Sequence, residues 1–488
     1  MSSRPFPNVS LQINRLSRAR IRVVTLTEAE SEAAKDASHP AFEDWGQDRV
    51  RASLANTRFR GRKADRVCVT DDEGRVLWLV GRGKGDHTAS LRRAAAVGMT
   101  VLADEVDWEL CVPEGGALSA EDATRAAAEG VHLADYRCKR TRGEDKGRRR
   151  PGSGSLSVSD LDAGRAGLAA AEAYCSGVVT ARDLINAPAN ELGPEELAAA
   201  ARDIADRYGW KSTTLTGDEL LERGFHLVHA VGRASCKPPT FTWVEIGDPS
   251  AEARPALVGK GVVFDSGGLN LKPSGGMLLM RKDMGGAGTV LGILESLGRF
   301  GFDGPLLAVI PAAENAVGPD SYRPGDILDS LDGKTVEIGN TDAEGRLLLA
   351  DGLTFAKQNG ATQLLDLATL TGAARVALGP DVPALFGTDE EFSRRLLEHS
   401  RVHDEPLWRM PLVQDYDRLL DTPFADVNHI SADSRGGAIT AALFLKRFVG
   451  DTPWAHIDMN GWEDKGRPDV PKGASGAVVR TVVSALRS

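Results

Sequence analysis

Cysteine is scarce in this sequence, and its placement excludes two kinds of site. Only 5 of the 488 residues are cysteines, and no two of them stand in a Cys-x-x-Cys arrangement. This argues against a disulfide framework and against a zinc site made of thiolates. The 9 histidines include no His-Glu-x-x-His motif. His226 and His229 share a helical spacing but have no third ligand nearby, so packing or a surface position explains them better.

Long hydrophobic runs are also lacking. No stretch reaches the ~18 uncharged apolar residues that a membrane-spanning helix requires, and the N-terminal segment has no apolar core like that of a signal peptide. We therefore expect a cytoplasmic protein with no membrane partner. Apolar residues make up 42% of the chain and charged residues 26%, which is typical of a globular protein with a large core.

The chain has fewer basic than acidic side chains. Its 59 Lys and Arg and its 69 Asp and Glu give a net charge of −10. Nucleic acids are bound through basic surfaces, so this balance argues against a nucleic-acid partner. One basic run occupies 139–150, and Pro, Gly and Ser follow it up to 157. Such a composition is typical of an exposed loop between domains. The sequence thus predicts an N-terminal domain at 1–150 and a second domain at 151–488.

Short β-like runs alternate with Ala-rich helical segments on both sides of this boundary. Before it, strands are predicted at 21–26, 67–70 and 76–80, and helices at 88–98 and 119–130. After it, a long connecting helix is predicted at 160–185, with strands at 256–259, 262–264, 306–310, 364–369 and 455–458 and helices at 284–298, 344–358 and 437–449. The alternation predicts an α/β fold, with a small N-terminal α/β domain and a larger α/β domain around a mixed, mostly parallel sheet.

Two segments combine glycine with an unusual density of charge. In the first, 258–286, Asp265 directly follows an apolar run, where a buried strand should end and where α/β proteins build their sites. Gly267 and Gly268 would let the backbone approach a ligand closely. Taken alone, an Asx turn or a helix N-cap is the better interpretation of Asp265, and a surface charge is the better interpretation of Lys260.

The second segment, 337–347, also has a local interpretation. Thr341 and Glu344 match the Ser/Thr-x-x-Glu capping box, but this leaves Asp342, Asn340 and Arg346 unexplained. On the glycine-rich turns of the two segments we single out four carboxylates and three cations, namely Asp265, Asp283, Asp342, Glu344, Lys260, Lys272 and Arg346. Carboxylates crowd together only when cations neutralise them, so a site for two metal ions is one interpretation.

These motifs resemble the leucyl (cytosol) aminopeptidase family of two-metal exopeptidases. Residues 340–347, Asn-Thr-Asp-Ala-Glu-Gly-Arg-Leu, are similar to the signature octapeptide of the family, and the first segment is similar to its other metal-binding block. Further matching motifs lie at 182–190, 312–315, 322–326, 366–372, 437–442 and 453–458. The resemblance covers roughly 165–488 in order, which is more specific than any single motif.

The resemblance implies a metal-dependent aminopeptidase that releases the N-terminal residue of cytoplasmic peptides through a metal-bridged water. It also implies a homohexamer and two divalent metal ions per chain, Zn²⁺ or Mn²⁺. One ion would take Lys260, Asp265, Asp283 and Glu344, and the other Asp265, Glu344 and Asp342 through its side chain and backbone carbonyl. Lys260 would then have to be a neutral amine, with a pKa well below the ~10.4 of free lysine.

Two charged groups remain once these ligands are assigned, and we interpret both Lys272 and Arg346 as catalytic. Neither readily acts as a general base at pH 7, since Arg stays protonated and Lys would need a large fall in pKa. We expect Lys272 to stabilise the oxyanion of the tetrahedral intermediate. The resemblance implies that Arg346 holds a bicarbonate that relays a proton, and a guanidinium fits such an anion bidentately.

Two other functions stay open at this stage. A two-metal phosphoesterase or nuclease would also use paired carboxylates, although a lysine ligand and the intact octapeptide do not fit it. A non-catalytic scaffold or DNA-binding regulator is the second, and the complete set of motif residues and the net charge of −10 argue against it. Segments 316–321 and 459–469 depart from the family pattern, which leaves the preferred N-terminal residue of the substrate open.

Overall fold

The computed structural model describes residues 9–13, 21–36, 42, 45, 47–85, 87–102, 107–114, 116–138 and 153–488. The basic run predicted at 139–150 lies outside them. The chain divides into two compact units. The first contains the described residues up to Ser176 together with Lys465–Lys472, and the second contains Gly177–Asp464 and Gly473–Ser488.

The first unit is built on a six-stranded sheet. Its elements are strands β1 (Val9–Ile13), β2 (Ile21–Thr27), β3 (Arg66–Thr70), β4 (Val76–Gly83), β5 (Trp108–Cys111) and β6 (Gly154–Val158) and helices α1 (Glu28–Asp36), α2 (Gln47–Asn56), α3 (Thr88–Met99) and α4 (Ala120–Ala134). The strand order is β1-β6-β5-β2-β4-β3, and only β3 and β4 pair antiparallel. Apolar residues of α3 and α4 pack against β5 in the core of this unit.

The two units divide within a long helix, α5 (Leu161–Asn186), between Ser176 and Gly177. This helix coincides with the one predicted at 160–185. The division differs from the boundary at 150 and 151, because β6 pairs with β1 and β5 in the N-terminal sheet. The domains 1–150 and 151–488 stay a prediction.

The second unit contains a nine-stranded sheet. Its strands are β7 (Lys211–Thr216), β8 (Thr240–Ile246), β9 (Pro255–Gly259), β10 (Gly261–Asp265), β11 (Leu306–Asn315), β14 (Gln363–Ala368), β15 (Ala384–Gly387), β16 (Trp408–Arg409) and β18 (Trp454–Asp458). Smaller sheets are formed by β12 (Ile327–Asp329), β13 (Thr335–Glu337) and β17 (Val427–Asn428), and by β19 (Trp462–Glu463) with β20 (Gly473–Ala474).

Helices fill the connections between these strands. They are α6 (Pro194–Tyr208), α7 (Glu219–Glu222), α8 (His226–Gly232), α9 (Ser274–Met277), α10 (Gly285–Arg299), α11 (Gly345–Gln358), α12 (Gly372–Leu378), α13 (Glu390–His403), α14 (Gly437–Val449) and α15 (Val479–Arg487), with 3-10 helices at Met280–Met284 and Gln414–Leu420. Apolar residues of α8, α11 and α14 pack with the central strands in one continuous core. No helix among the described residues is long and apolar enough to cross a membrane.

The central sheet is mixed. Eight strands follow the order β16-β15-β18-β14-β9-β11-β8-β7, and β10 pairs with β11 beside this path. Five of the pairings are parallel, and three are antiparallel. The prediction of an α/β fold around a mixed, mostly parallel sheet is therefore confirmed.

One strand is longer than the sequence indicated. The strand predicted at 306–310 continues as β11 to Asn315, past Pro311, a residue that usually ends a central strand because it lacks an N–H. Pro311 is tolerated because it lies where β11 changes its parallel neighbour. β11 pairs with β9 up to Val309 and with β10 from Ala312 onwards.

Candidate metal centre

The charged residues singled out from the sequence come together at one edge of the central sheet. Lys260 lies between β9 and β10, and Asp265 is the last residue of β10. Asp283 belongs to the 3-10 helix that precedes α10, and Asp342 and Glu344 lie just before α11. Because β9, β10 and β11 run parallel, their carboxyl ends open towards the same edge, where α/β proteins bind ligands.

Lys260 joins two of the carboxylates. Its Nζ lies 2.6 Å from Oδ2 of Asp283 and 3.0 Å from Oε1 of Glu344. It also donates a hydrogen bond of 3.0 Å to the carbonyl oxygen of Thr369. All three charged side chains are almost completely buried. This end of the cluster is closed to solvent.

Lys272 joins the other two carboxylates. Its Nζ lies 2.6 Å from Oδ2 of Asp265 and 2.5 Å from Oδ1 of Asp342. The side chain of Lys272 is 16% exposed and that of Asp342 is 32% exposed, so this end is open to solvent. The two ammonium groups mark two positions at which the cluster accommodates a cation.

The charges in the cluster do not balance. Four carboxylates face the ammonium groups of Lys260 and Lys272. Burial, together with neighbouring carboxylates, raises the pKa of Asp265 well above its ordinary value, and burial also raises the pKa values of Asp283 and Asp342. Burial would raise the pKa of Glu344 as well, but the two lysines outweigh it and lower that pKa to about 2. A buried surplus of negative charge is unfavourable without a further cation.

The pKa of Lys260 shifts in the direction opposite to that expected for a metal ligand. Burial alone would lower it, but Asp283, Glu344 and Asp265 raise it above its ordinary value. In this arrangement Lys260 is a charged ammonium that neutralises its neighbours. It can serve as a ligand only after a metal ion has replaced its proton, since metal binding requires deprotonated donors.

The donor set fits divalent cations. Oxygen atoms of Asp265, Asp342 and Glu344 lie within 4.8 Å of one another. Oε2 of Glu344 is buried and has no hydrogen-bond partner, which is unfavourable for a carboxylate oxygen unless something else binds it. Carboxylate oxygens are ligands of Zn²⁺ and of harder divalent cations such as Mn²⁺. The residues present therefore match the requirement of a metal site.

Asp265 is held by neighbours that the sequence analysis did not assign to the site. Nδ2 of Asn315 donates to Oδ1 of Asp265 at 2.8 Å and to the carbonyl oxygen of Thr341 at 3.0 Å. The hydroxyl of Tyr322 donates to the same carbonyl at 2.7 Å. The N–H of Gly267 donates to Oδ1 of Asp265 at 2.9 Å, so the Asx turn considered from the sequence forms as well. Asn315 and Tyr322 belong to the matching motifs at 312–315 and 322–326. These motifs are the only feature of the sequence that indicates a role for them at the site.

The capping-box interpretation of Thr341 and Glu344 is wrong. Helix α11 begins at Gly345 with Glu344 as its N-cap residue, and no side chain caps it. The hydroxyl of Thr341 instead donates to the carbonyl oxygen of Gly267 at 2.6 Å and accepts from the N–H of Asn270 at 2.9 Å. The side chain of Glu344 is thereby left to face Lys260 rather than its own helix.

Arg346 lies in the first turn of α11 and is buried. Its Nη1 donates a 2.6 Å hydrogen bond to the carbonyl oxygen of His429, while its Nε is buried without a partner. Burial lowers the pKa of Arg346 to about 10, which still leaves it charged at neutral pH. Within the part of the chain that the structure describes, no carboxylate lies within 4.0 Å of this guanidinium. A simple ion pair with a neighbouring acid is therefore not its role.

The histidine pair noted in the sequence lies elsewhere. His229 belongs to α8, and its Nε2 lies 3.3 Å from Oδ1 of the exposed Asp218. Neither His226 nor His229 is among the described residues grouped as potential metal ligands. Their interpretation as packing or surface residues agrees with this position.

Comparison with known proteins identifies the family. The profile of the cytosol aminopeptidase family, catalytic domain, matches residues 179–483. This chain belongs to the cytosol aminopeptidase family. A probable cytosol aminopeptidase of Syntrophotalea carbinolica is 40% identical over 451 residues, which are 89% of this chain and 90% of that protein.

Solved structures share this fold over nearly the whole chain. The cytosol aminopeptidase from Coxiella burnetii is 34% identical, and the match covers 98% of both chains with a TM-score of 0.85. The bottromycin maturation enzyme BotP in complex with Mn is 35% identical, and its match covers 96% of this chain and 99% of that one with a TM-score of 0.83. As a member of the cytosol aminopeptidase family, the chain is an aminopeptidase, a hydrolase that acts on peptides.

Proposed function

We propose that the protein is a dinuclear metal aminopeptidase that turns over peptides with a free N-terminus in the cytoplasm. The observation that supports this best is the pair of adjacent cation positions, each occupied by a lysine ammonium, within one cluster of four carboxylates. The residues that would hold one ion are Lys260, Asp265, Asp283 and Glu344, and those that would hold the other are Asp265, Asp342 and Glu344.

Two Zn²⁺ or Mn²⁺ ions, when bound, would lower the pKa of a shared water towards neutrality, polarise the scissile carbonyl and accept the free α-amino group. The chain's own residues would orient the substrate around them. Asp265 and Glu344 would serve both positions, which is supported by the 4.8 Å within which their oxygens and one of Asp342 lie and by the contact of Glu344 with Lys260. An acylated or internal nitrogen is a much poorer ligand, which gives selectivity for the N-terminus.

Lys272 would supply positive charge at the reacting carbonyl. Its ammonium lies at the open end of the cluster, where a peptide can reach it. There it would donate to the carbonyl oxygen as negative charge develops on that atom. Removing one such donor typically lowers kcat by a factor of about 10² to 10³.

Arg346 would hold a bicarbonate that takes the proton of the attacking water. Its guanidinium has a buried Nε with no partner, and it stands at the first turn of α11, where backbone N–H groups favour an anion. A planar anion fits the fork of a guanidinium in a way that a lysine cannot match. We also propose that the enzyme is a homohexamer, for which the family resemblance is the support.

A panel of aminoacyl chromogenic substrates tests the proposal. The enzyme is stripped with a chelator and assayed after addition of Zn²⁺, Mn²⁺ or Mg²⁺, with the N-acetylated form of each substrate as its matched control. We expect activity only after addition of metal, and only on the free amines. Efficient cleavage of the acetylated substrates would point to an endopeptidase or amidase instead, and activity that survives complete removal of metal would contradict the metal mechanism.

A further inference from the structure

Lys282 stands beside the metal centre without an ionic partner. It precedes Asp283 in the 3-10 helix, and its Nζ donates to the backbone oxygen of Asn460 at 2.8 Å and to Oδ1 of Asn460 at 2.6 Å. No carboxylate of the described residues lies within 4.0 Å of this ammonium. An ammonium has three N–H donors. One donor is therefore left without a hydrogen-bond partner, and no ion pair neutralises the charge directly.

The amide of Asn460 cannot turn away from Lys282. Its Nδ2 donates to the carbonyl oxygen of Trp462 at 2.8 Å, which fixes Oδ1 on the side of the lysine. Trp462 is itself buried and contacts the guanidinium of Arg281, whose Cζ lies 5.7 Å from the ring centroid. Asn460 thus presents two neutral oxygens to Lys282 in a fixed geometry and does not neutralise it.

The two carboxylates near Lys282 are engaged by other cations. Asp283 is engaged by Lys260 at 2.6 Å and by the hydroxyl of Thr369 at 2.8 Å. On the exposed side, Asp464 lies 3.5 Å from Arg375, and the two form an ion pair. The hydrogen-bond partners of the Lys282 ammonium are both uncharged.

The closed end of the cluster is where the N-terminal residue of a bound peptide substrate should lie. The side chains of Lys260 and Asp283 are 3% and 7% exposed, whereas those of Lys272 and Asp342 are 16% and 32% exposed. A peptide cut at its first bond must put its first residue at the closed end and let the rest of the chain leave by the open end. This step rests on the proposed function.

Lys282 and Asn460 flank that closed end. Lys282 adjoins Asp283 in the chain, and the hydroxyl of Thr369 binds Asp283. Gly461, next to Asn460, lies so close to Thr369 that an added Cβ would stand 3.4 Å from its Cγ2. The two segments therefore form one wall beside the position expected for the first residue of the substrate.

We propose that Lys282 makes this enzyme selective for peptides whose N-terminal residue is acidic, Asp or Glu. The side-chain carboxylate of that residue would accept the free N–H of Lys282 and neutralise its charge. An apolar first residue would cover the ammonium without offering it any acceptor, which is unfavourable for a charged group. Lys282 is thus a specificity-determining residue, and Asn460 positions it.

The isosteric pair of glutamyl and glutaminyl p-nitroanilides tests this directly. With the metal-loaded wild type, kcat/KM is expected to favour the glutamyl substrate by about tenfold or more, the range of a charged hydrogen bond. Lys282→Met keeps the length of the side chain and should bring the ratio of the two kcat/KM values close to one. Lys446→Met is the matched control, since the ammonium of Lys446 also donates to an amide oxygen, that of Gln414, but lies in the last turn of α14. It should keep the wild-type ratio.

A second variant tests the same idea with Lys282 still present. Asn460→Asp preserves the shape of the side chain and gives Lys282 an internal carboxylate, so the preference for the glutamyl substrate should fall in the same way. Hydrolysis of leucyl and glutaminyl substrates with no glutamyl preference, or an unchanged ratio in Lys282→Met, would overturn the inference and leave the aminopeptidase function intact. Absence of hydrolysis of every aminoacyl substrate by the metal-loaded wild type would instead overturn the proposed function, and this inference with it.

Discussion

Glu344 is the carboxylate on which the proposed metal centre depends most. Its Oε1 lies 3.0 Å from Nζ of Lys260, its Oε2 has no partner, and its oxygens lie within 4.8 Å of those of Asp265 and Asp342. Glu344→Gln keeps the shape of the side chain and removes its charge. The substitution therefore tests metal binding while keeping the packing of this side chain.

In the metal-free protein the two lysines stabilise the charged form of Glu344, since they outweigh its burial and lower its pKa to about 2. With an effective dielectric constant of ~20, the attraction between Lys260 and Glu344 at 3.0 Å is about 5.5 kcal/mol. Asp265 and Asp342 each repel Glu344 from 4.8 Å or less, by about 3.5 kcal/mol or more, and Lys272 adds a second attraction. Burial and the same repulsion from neighbouring carboxylates raise the pKa of Asp265 above its ordinary value. We therefore expect metal-free Glu344→Gln to unfold at a lower Tm than the metal-free wild type, because Lys260 loses a charged partner.

Metal should distinguish the two proteins. A ligand that binds only the folded state raises Tm, so Zn²⁺ or Mn²⁺ should raise the Tm of the wild type substantially and that of Glu344→Gln little. Elemental analysis should give fewer than two ions per chain in the variant, with a large loss of kcat/KM. Two ions per chain in Glu344→Gln, with a Tm increase equal to that of the wild type, would refute the reasoning that Glu344 serves both positions.

Three further substitutions test other groups of the molecule. Lys272→Ala should lower kcat by about 10² to 10³ at unchanged metal content, and a wild-type kcat would exclude its role at the carbonyl oxygen. Arg346→Ala should lower kcat and abolish stimulation by bicarbonate, so a variant that keeps both would show that Arg346 holds no such anion. Asp351 is fully buried, and burial raises its pKa to about 7. Because the folded state then binds this proton more tightly than the unfolded chain does, Asp351 should make the protein less stable as pH rises from about 4 to about 7, by up to about 4 kcal/mol. Asp351→Asn should therefore flatten the dependence of Tm on pH over that range, and an unchanged slope would contradict the assignment.

The sequence by itself determined the elements and the class of chemistry. The helix predicted at 437–449 coincides with α14, and the one predicted at 284–298 differs from α10 by a single residue at each end. These helices and the strands between them follow from apolar periodicity and from glycine at their ends, which act over a few residues. The octapeptide at 340–347 is also local, and it was enough to indicate the family that the comparisons then established.

The tertiary structure decided which residues support the site. Asn315 orients Asp265 from 50 residues away, the carbonyl of His429 holds Arg346 from 83 residues away, and Asn460 binds Lys282 across 178 residues. No local pattern indicates such pairs, because they depend on which strands are neighbours in the sheet. The same holds for the capping box, which does not form because the hydroxyl of Thr341 donates instead to the carbonyl oxygen of Gly267, 74 residues away in the chain. Local sequence propensity therefore sets which helices and strands form, whereas the order of the strands in the sheet sets which distant residues come into contact.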